Sequence, residues 1–153
     1  MRLFFYQTAI GKIGIAEETG AITGLFFEND PMPKNVKIAE SNTIKEAARQ
    51  LNAYLLKELK EFSVPLAPKG TNFEQRVWKA IELIPYGKTA SYQDVAKNIG
   101  NAQSARAVGT ACAKNPVLIF IPCHRIIAKN GSFGGYKKGS ALKTWLLNLE
   151  KNP

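Results

Sequence analysis

A cysteine and a histidine stand side by side in the segment IFIPCHR, which covers residues 119 to 125. Cys123 is one of two cysteines, and His124 is the only histidine in the 153-residue chain. A thiol becomes a strong nucleophile when it loses its proton, and a nearby base or positive charge favours that loss. His124 and Arg125 directly follow the thiol, so the segment predicts a nucleophilic cysteine.

The adjacency of the two residues argues against a direct bond between thiol and imidazole, because neighbouring side chains usually point apart. His124 could still act through a water molecule, and it would then need a carboxylate on its other nitrogen to fix its tautomer. Residues 70–153 contain only four carboxylates. Glu150 ends the last predicted helix and could fold back towards the thiol, but spacing alone does not select it from Glu74, Glu82, Asp94 and Glu150.

The second cysteine has a different setting. Cys112 lies among alanines in a predicted helix, which favours a structural role. The loop length would permit a disulfide with Cys123, but two cysteines without an export signal indicate a reducing compartment with free thiols. We expect a cytoplasmic protein. With so few soft ligands, we predict no metal and no cofactor.

The positive charge of the chain is unevenly distributed. The net charge is +9, yet residues 1–69 hold nine basic against eight acidic residues, and residues 70–153 hold twelve against four. The C-terminal part is therefore expected to meet a polyanion such as nucleic acid. No apolar run approaches the roughly 20 residues that span a bilayer, so we predict no membrane contact.

The N-terminal part alternates between apolar and polar residues in three stretches separated by glycine turns, which predicts a small antiparallel sheet with strands over 3–8, 12–17 and 22–27. A helix is predicted to begin at Thr43, with Glu46 completing a capping box, and to pack on the sheet. The segment VPLAPKG then predicts a boundary, giving domains 1–69 and 70–153.

The C-terminal part is predicted to be mostly helical. Thr71 with Glu74, and Ser91 with Asp94, mark two capped helix starts. The helices in SYQDVAKNIG and SARAVGTACAKN, joined by a short turn, are typical of a helix-turn-helix. VLIFI is predicted to be a buried strand, and a last helix should bury Leu142, Trp145, Leu146 and Leu149; Trp78 is also expected in the core. The fold class is α+β, a sheet with a helix followed by a winged-helix or helix-turn-helix-like domain.

A family resemblance emerges from these segments. IPCHRII, together with SYQDVA, ARAVG, NPV and GGYKKGSALKTWLLNLE, resembles the O6-alkylguanine-DNA alkyltransferases over residues 71 to 150. The resemblance implies DNA repair: Cys123 takes the alkyl group from guanine irreversibly, and the protein is consumed in one turnover. It also implies that His124, through a water, and Glu150 deprotonate the thiol, and that Asn115 braces its turn.

The resemblance further implies how DNA is handled. The protein would act as a monomer, and its partner would be double-stranded DNA carrying alkylated guanine. The target base would be flipped out of the stack. Tyr92 would bind the flipped base, and Arg106 would fill the vacated space from a helix in the minor groove. The other DNA contacts implied are Gln93, Ala105 and Gly109, and the base pocket would be formed by Tyr92, Ile126, Tyr136 and Lys137.

Two departures and three alternatives accompany the resemblance. Lys137 occupies a position that often carries a serine near the base oxygen, and residues 1–69 lack the cysteines and histidines of the zinc site found in some members. The alternatives are a non-catalytic binder of alkylated DNA, a helix-turn-helix regulator and a cysteine hydrolase. The range of alkyl groups and activity on O4-alkylthymine stay open.

Overall fold

A computed structural model describes residues 1–132 and 134–151, and the chain divides into two compact units, Met1–Lys69 and Gly70–Pro153. The first unit combines a sheet with one helix, and the second is mostly helical. The predicted α+β class is therefore confirmed. Among the described residues, no helix is long and apolar enough to cross a membrane.

The first unit is built on a four-stranded sheet in the order β3-β2-β1-β4. Strands β1 (Arg2–Thr8), β2 (Gly11–Glu18) and β3 (Ala21–Phe27) form antiparallel hairpins, and β4 (Lys37–Ile38) adds in parallel to β1. Gly11 and Gly20 take φ values of 101° and 82° at the two turns, a conformation that glycine adopts at little cost. The three predicted strands are confirmed.

Helix α1 (Asn42–Leu55) packs its apolar face on this sheet, where Ile44 and Leu51 are fully buried. Its start differs from the prediction. Ser41, not Thr43, is the N-cap, and its hydroxyl accepts a hydrogen bond from the Ile44 amide at 3.1 Å. Glu46 is not part of a capping box, because its carboxylate instead pairs with Arg49 and Gln50 on the helix surface.

Three helices form the body of the second unit: α2 (Asn72–Glu82), α3 (Tyr92–Asn98) and α4 (Ala105–Ala113), each in contact with the other two. Both predicted capping boxes are present, at the starts of α2 and α3. Trp78 is buried as predicted, and its indole N–H donates to the Ala111 carbonyl at 3.0 Å. This bond ties α2 to the last turns of α4.

A two-stranded parallel ladder joins distant parts of the second unit. Strand β5 (Ala90–Ser91) pairs with β6 (Ile126–Ile127), with Ala90 opposite Ile126. Since Ser91 caps α3, the ladder sets the first residue of that helix beside the chain that follows the Pro-Cys-His-Arg segment.

The prediction that VLIFI forms a strand is wrong. Residues 117–121 are buried, but they form a tight turn in which the Ile121 amide donates to the Val117 carbonyl at 3.0 Å. Ile119 has a φ of 76°, a left-handed conformation that is strained for a β-branched residue. A short 3-10 turn, Cys123–Arg125, follows directly.

Helix α5 (Ser140–Lys151) closes the unit, and its predicted core face is confirmed in part: Leu146 and Leu149 are buried, whereas Leu142 is only half-buried. Trp145 is 40% exposed, so its prediction as a core residue is wrong. Lys143 is instead fully buried, together with Leu146, Leu149 and Glu150. The helix therefore brings two charged side chains inward.

Candidate active site

The thiol of Cys123 sits at the first residue of the 3-10 turn and is almost fully enclosed, with 4% of the residue exposed. The turn holds it in place, because the Cys123 amide donates to the Ile121 carbonyl at 2.8 Å and the Arg125 amide to that of Pro122 at 2.9 Å. The sulfur nevertheless reaches a cavity, since Cys123 is one of the residues that line it.

Asn115 fixes both the turn of residues 117–121 and the sulfur. It is fully buried, and its Oδ1 accepts from the Val117 amide at 2.9 Å. Its Nδ2 donates to the Ile121 carbonyl at 2.9 Å and contacts the Cys123 Sγ at 3.0 Å. One amide thus clamps both ends of the strained turn and orients the Cys123 sulfur.

Behind the thiol lies a buried cluster centred on Glu150. Nε2 of His124 is 2.6 Å from Oε2 of Glu150, and Arg125 makes a two-pronged contact with the same carboxylate at 2.9 Å and 2.9 Å. Arg125 also donates to the Ile84 carbonyl at 2.7 Å, and Glu150 accepts from the Gly87 amide at 3.1 Å. The structure therefore brings Glu150, among the four candidate carboxylates, to the histidine, and places Arg125 in an ion pair.

The protonation states follow from burial. Loss of solvent raises the pKa of the Cys123 thiol well above its ordinary value, against the smaller opposing effects of Asn115 and Lys143. Burial also lowers the pKa of His124 below 6.5, despite its bond to Glu150. At neutral pH the site therefore holds a neutral thiol beside a neutral imidazole, so the thiolate forms only when a base takes the proton.

Lys143 is a site residue that the sequence analysis missed. Its side chain is fully buried, and its ammonium donates to the Ile126 carbonyl at 2.5 Å and the Gly135 carbonyl at 3.1 Å. Its positive charge favours the thiolate form of Cys123. The only signal in the sequence is its spacing from Glu150: seven residues make about two helical turns, which places both on one face of α5.

The cavity in front of the sulfur has a volume of about 190 Å³. Of the four predicted pocket residues, Tyr92, Tyr136 and Lys137 line it, whereas Ile126 is buried in β6 and does not. Burial raises the pKa of both tyrosines, which keeps their hydroxyls protonated and able to donate. The full lining is Tyr92, Gly109, Cys112, Ala113, Cys123, Gly135, Tyr136 and Lys137.

Glycines make room for Tyr92 in this cavity. A Cβ at Gly134 would lie 3.0 Å from the Tyr92 hydroxyl, and Gly134 has a φ of 67°. A Cβ at Gly109 would lie 3.6 Å from the ring. Gly109, which was predicted to contact DNA from helix α4, therefore also forms part of the cavity wall.

Cys112 also lines the cavity, which the sequence analysis did not predict. Both cysteines are free thiols, and the neighbouring Cys112 side chain contributes to the raised pKa of Cys123. Cys112 is half-buried while Cys123 is buried. The chain therefore presents two sulfur atoms to the same cavity, of which only Cys123 is held by Asn115 in the contacts described above.

The remaining predicted DNA-contacting residues lie on α3 and α4. Arg106 is exposed in the first turn of α4, beside a half-buried Ala105, and neither lines the cavity. Gln93 lines a second, open depression that also includes Lys97 and Lys129. In the described part of the chain, no three His, Cys, Asp or Glu residues cluster to hold a metal ion.

Known proteins match this chain over nearly all of its length. A family model described as 6-O-methylguanine DNA methyltransferase, DNA binding domain, matches residues 72–152, and the ribonuclease-like domain of the same family matches residues 1–68. The methylated-DNA–protein-cysteine methyltransferase of Methanosarcina acetivorans is 42% identical over 150 residues, or 95% of each chain. The constitutive one of Bacillus subtilis is 41% identical over 152 residues, covering 95% of this chain and 92% of that protein.

A solved structure agrees closely with the fold. The crystal structure of Mycobacterium tuberculosis OGT in complex with DNA matches with a TM-score of 0.92 at 40% identity, covering 99% of this chain and 93% of that chain. The similarity therefore extends through both compact units.

Proposed function

Because this chain belongs to the 6-O-methylguanine DNA methyltransferase family, as its sequence predicted, we propose that it repairs DNA by taking the alkyl group of an O6-alkylguanine onto Cys123. The observation that carries this proposal is the position of the Cys123 sulfur: it faces a cavity, is held by Asn115 and is backed by the buried His124–Glu150 pair. A single nucleophile with a dedicated base suits one displacement at an alkyl carbon.

The reaction is a direct displacement. His124 takes the thiol proton through a water molecule, and Glu150 stabilises the resulting imidazolium. The sulfur then attacks the alkyl carbon from the side opposite O6, so that the S–C bond forms, the C–O6 bond breaks and the electron pair stays on guanine. The thioether product has no route back to the thiol, so one molecule repairs one lesion.

Access to the base requires that it leave the duplex, because O6 of a stacked guanine lies out of reach of the enclosed sulfur. Tyr92 binds the flipped base in the cavity, and Arg106 fills the space that it leaves. Gln93, Ala105 and Gly109 contact the DNA, and Tyr136 and Lys137 complete the pocket, with Ile126 supporting it from behind. Both DNA binding and chemistry are assigned to residues 70–153.

The setting of the reaction follows from the same features. Free thiols suit the reducing cytoplasm. The protein acts as a monomer on double-stranded DNA carrying alkylated guanine.

Peptide mass spectrometry after incubation with duplex DNA containing O6-methylguanine tests the proposal. Trypsin separates the thiols, since residues 107–114 contain Cys112 and residues 115–125 contain Cys123. We expect one methyl group on the second peptide alone, saturating at one per protein. Binding without modification of either peptide would indicate a non-catalytic lesion binder, and methyl on Cys112 would identify the other sulfur as the nucleophile.

A further inference from the structure

A second thiol lies beside the nucleophile and has no part in the proposed displacement. Cys112 and Cys123 are the only cysteines of the chain, and both line the same cavity of about 190 Å³. Both are free thiols. All of the sulfhydryl groups of the chain are therefore gathered around one small space.

Asn115 connects the backbone of one cysteine to the sulfur of the other. Its amide donates to the Cys112 carbonyl at 3.2 Å, and its side-chain Nδ2 lies 3.0 Å from the Cys123 Sγ. Asn115 is fully buried, and its side chain also bonds the main chain of Val117 and Ile121. It therefore holds the end of helix α4, which carries Cys112, against the turn that carries Cys123.

The surroundings of the two thiols make Cys112 the first to meet a reagent that enters the cavity. Cys112 is half-buried, whereas Cys123 is buried. The Cys123 side chain lowers the pKa of Cys112 and, with a smaller contribution from Lys143, outweighs the opposing effect of burial. Oxidants react with thiolates in accessible positions, so the more exposed and more acidic thiol is the one that an oxidant attacks first.

We propose that Cys112 and Cys123 form a reversible disulfide when a hydroperoxide enters the cavity, and that this bond protects the nucleophile from irreversible oxidation. A cysteine that is oxidised alone passes from sulfenic to sulfinic and sulfonic acid, which thiols do not reduce. A neighbouring thiol converts the sulfenic acid into a disulfide, which thiols do reduce. The benefit rests on the proposed function, in which the Cys123 sulfur is used only once and must be intact when the lesion arrives.

The oxidation takes place in two displacements. The Cys112 thiolate attacks one oxygen of the hydroperoxide: the S–O bond forms, the O–O bond breaks, and the departing oxygen takes up a proton and leaves as an alcohol or as water. The Cys123 sulfur then attacks the sulfenic sulfur of Cys112. The S–S bond forms, the S–O bond breaks, and the hydroxide leaves as water with the proton of the Cys123 thiol. Two thiols are oxidised and one hydroperoxide is reduced, so no other reactant is needed.

Peptide mass spectrometry of the full chain tests the bond directly. The wild-type protein is treated with a small excess of hydrogen peroxide, alkylated with iodoacetamide and digested with trypsin without reductant. We expect the peptides of residues 107–114 and 115–125 to be joined, two hydrogens lighter than their sum, and to separate after treatment with dithiothreitol. Non-reducing electrophoresis should show that the linked protein is a monomer.

The variant Cys112→Ser measures the protection, since it keeps the size of the side chain and removes its sulfur. Transfer to Cys123 is measured with duplex DNA containing O6-methylguanine and with the free base O6-benzylguanine, relative to the same protein before treatment. After peroxide the wild type should lose its activity, and dithiothreitol should restore it fully. Cys112→Ser should lose its activity and not regain it, with sulfinic acid on Cys123.

The matched variant Cys123→Ser tests the order of the two steps. Without its partner, the sulfenic acid of Cys112 has no thiol to attack it, so dimedone should trap it there. An unmodified Cys112 in this variant would overturn its assignment as the first thiol to react.

Three other results would overturn the proposal. Wild-type Cys123 that passes to sulfinic acid without a linked peptide forms no protective bond, and links found only between two molecules would show that the thiols of one chain do not meet. Equal recovery of the wild type and Cys112→Ser would show that Cys112 gives no protection. If the untreated wild type transfers an alkyl group from neither substrate, the proposed function fails instead, and the linked peptide is measured independently of that failure.

Discussion

The two compact units bury very different kinds of side chain. In residues 1–69 the buried polar side chains are those of Thr23 and Gln50, both uncharged, around a core of aliphatic residues. In residues 70–153 the buried polar side chains include three charged groups, as well as an amide and the imidazole: Asn115, His124, Arg125, Lys143 and Glu150. Both units are of similar construction otherwise, with capped helices and apolar packing.

This difference separates folding from chemistry. Moving a charged side chain out of water is costly even when it is paired, and well-packed apolar residues often stabilise a core as well or better. Within the second unit, the buried charges are gathered beside the one cysteine that Asn115 clamps. The first unit shows that a stable core of this protein needs no buried charge. The second unit shows that the site adds buried charged groups to such a core.

The largest expected effect comes from removing the charge at the centre of the buried cluster. Glu150→Gln leaves the Arg125 cation without its carboxylate, so we expect the free energy of unfolding to fall by about 3–5 kcal/mol. The rate of alkyl transfer should fall about 100-fold or more, because His124 loses the group that stabilises its protonated form. Denaturant unfolding and free-base kinetics measure the two effects.

Glu82→Gln is the matched control, since it removes an exposed carboxylate from the same unit. Little change is expected in either measurement. Equal losses in the two variants would mean that the buried cluster has no special role and would erase the contrast between the units.

An intermediate effect is expected from pH. Burial lowers the pKa of His124 below its ordinary 6.5. The imidazole therefore stays neutral, and able to accept a proton, down to about pH 6.5. The transfer rate should therefore be level from about pH 8 to 6.5 and decline only as the pH falls through the lowered pKa, where protonation removes the base. Free-base kinetics across this range test the prediction.

The His124→Gln variant provides the control for pH. It should react slowly and lack the decline below pH 6.5, because glutamine does not titrate. A wild-type decline that begins near pH 7.5 would show that the bond to Glu150 outweighs burial and keeps His124 protonated.

The smallest effect belongs to the first unit, where the helix start is a matter of local backbone bonding. Ser41→Ala removes the acceptor for the Ile44 amide and should lower the free energy of unfolding by about 1 kcal/mol. Thr43→Ala, two residues away, should change it by less than about 0.5 kcal/mol. A larger loss of unfolding free energy in Thr43→Ala than in Ser41→Ala would support Thr43 as the start of the helix, as the sequence predicted.

Sequence reasoning succeeded where a local rule had one solution. The capping boxes at Thr71 and Ser91 each have a single acidic partner three residues on, and both are present. The segment Ser41–Asn42–Thr43 offers three capping residues in a row, and the Thr43–Glu46 spacing selected the wrong one. The nucleophile and its histidine were predicted from adjacency, but their carboxylate was not chosen by spacing alone.

Helix α5 shows why the rest of the site could not be predicted from hydrophobicity. Successive residues of an α-helix are rotated by about 100°, so moving the buried face by one residue changes which side chains reach the core. The apolar side chain of Trp145 led the sequence analysis to place it there. The structure buries Lys143 and exposes Trp145 because Lys143 bonds two carbonyls of the site. Similarly, VLIFI is apolar enough for a strand, but the bonds of the Asn115 side chain, together with the bond from the Ile121 amide to the Val117 carbonyl, hold it in a turn.

The parallel ladder of Ala90–Ser91 with Ile126–Ile127 has a consequence for how the protein is made. Residues far apart in sequence must meet before the thiol is equipped: His124 reaches Glu150 across 26 residues, and Gly87 reaches it across 63. Such long-range contacts form late in folding, because a long loop must close before they are made. A chain emerging from the ribosome therefore carries Cys123 as an ordinary thiol, and Asn115, His124 and Glu150 take their places around it only when the unit has closed.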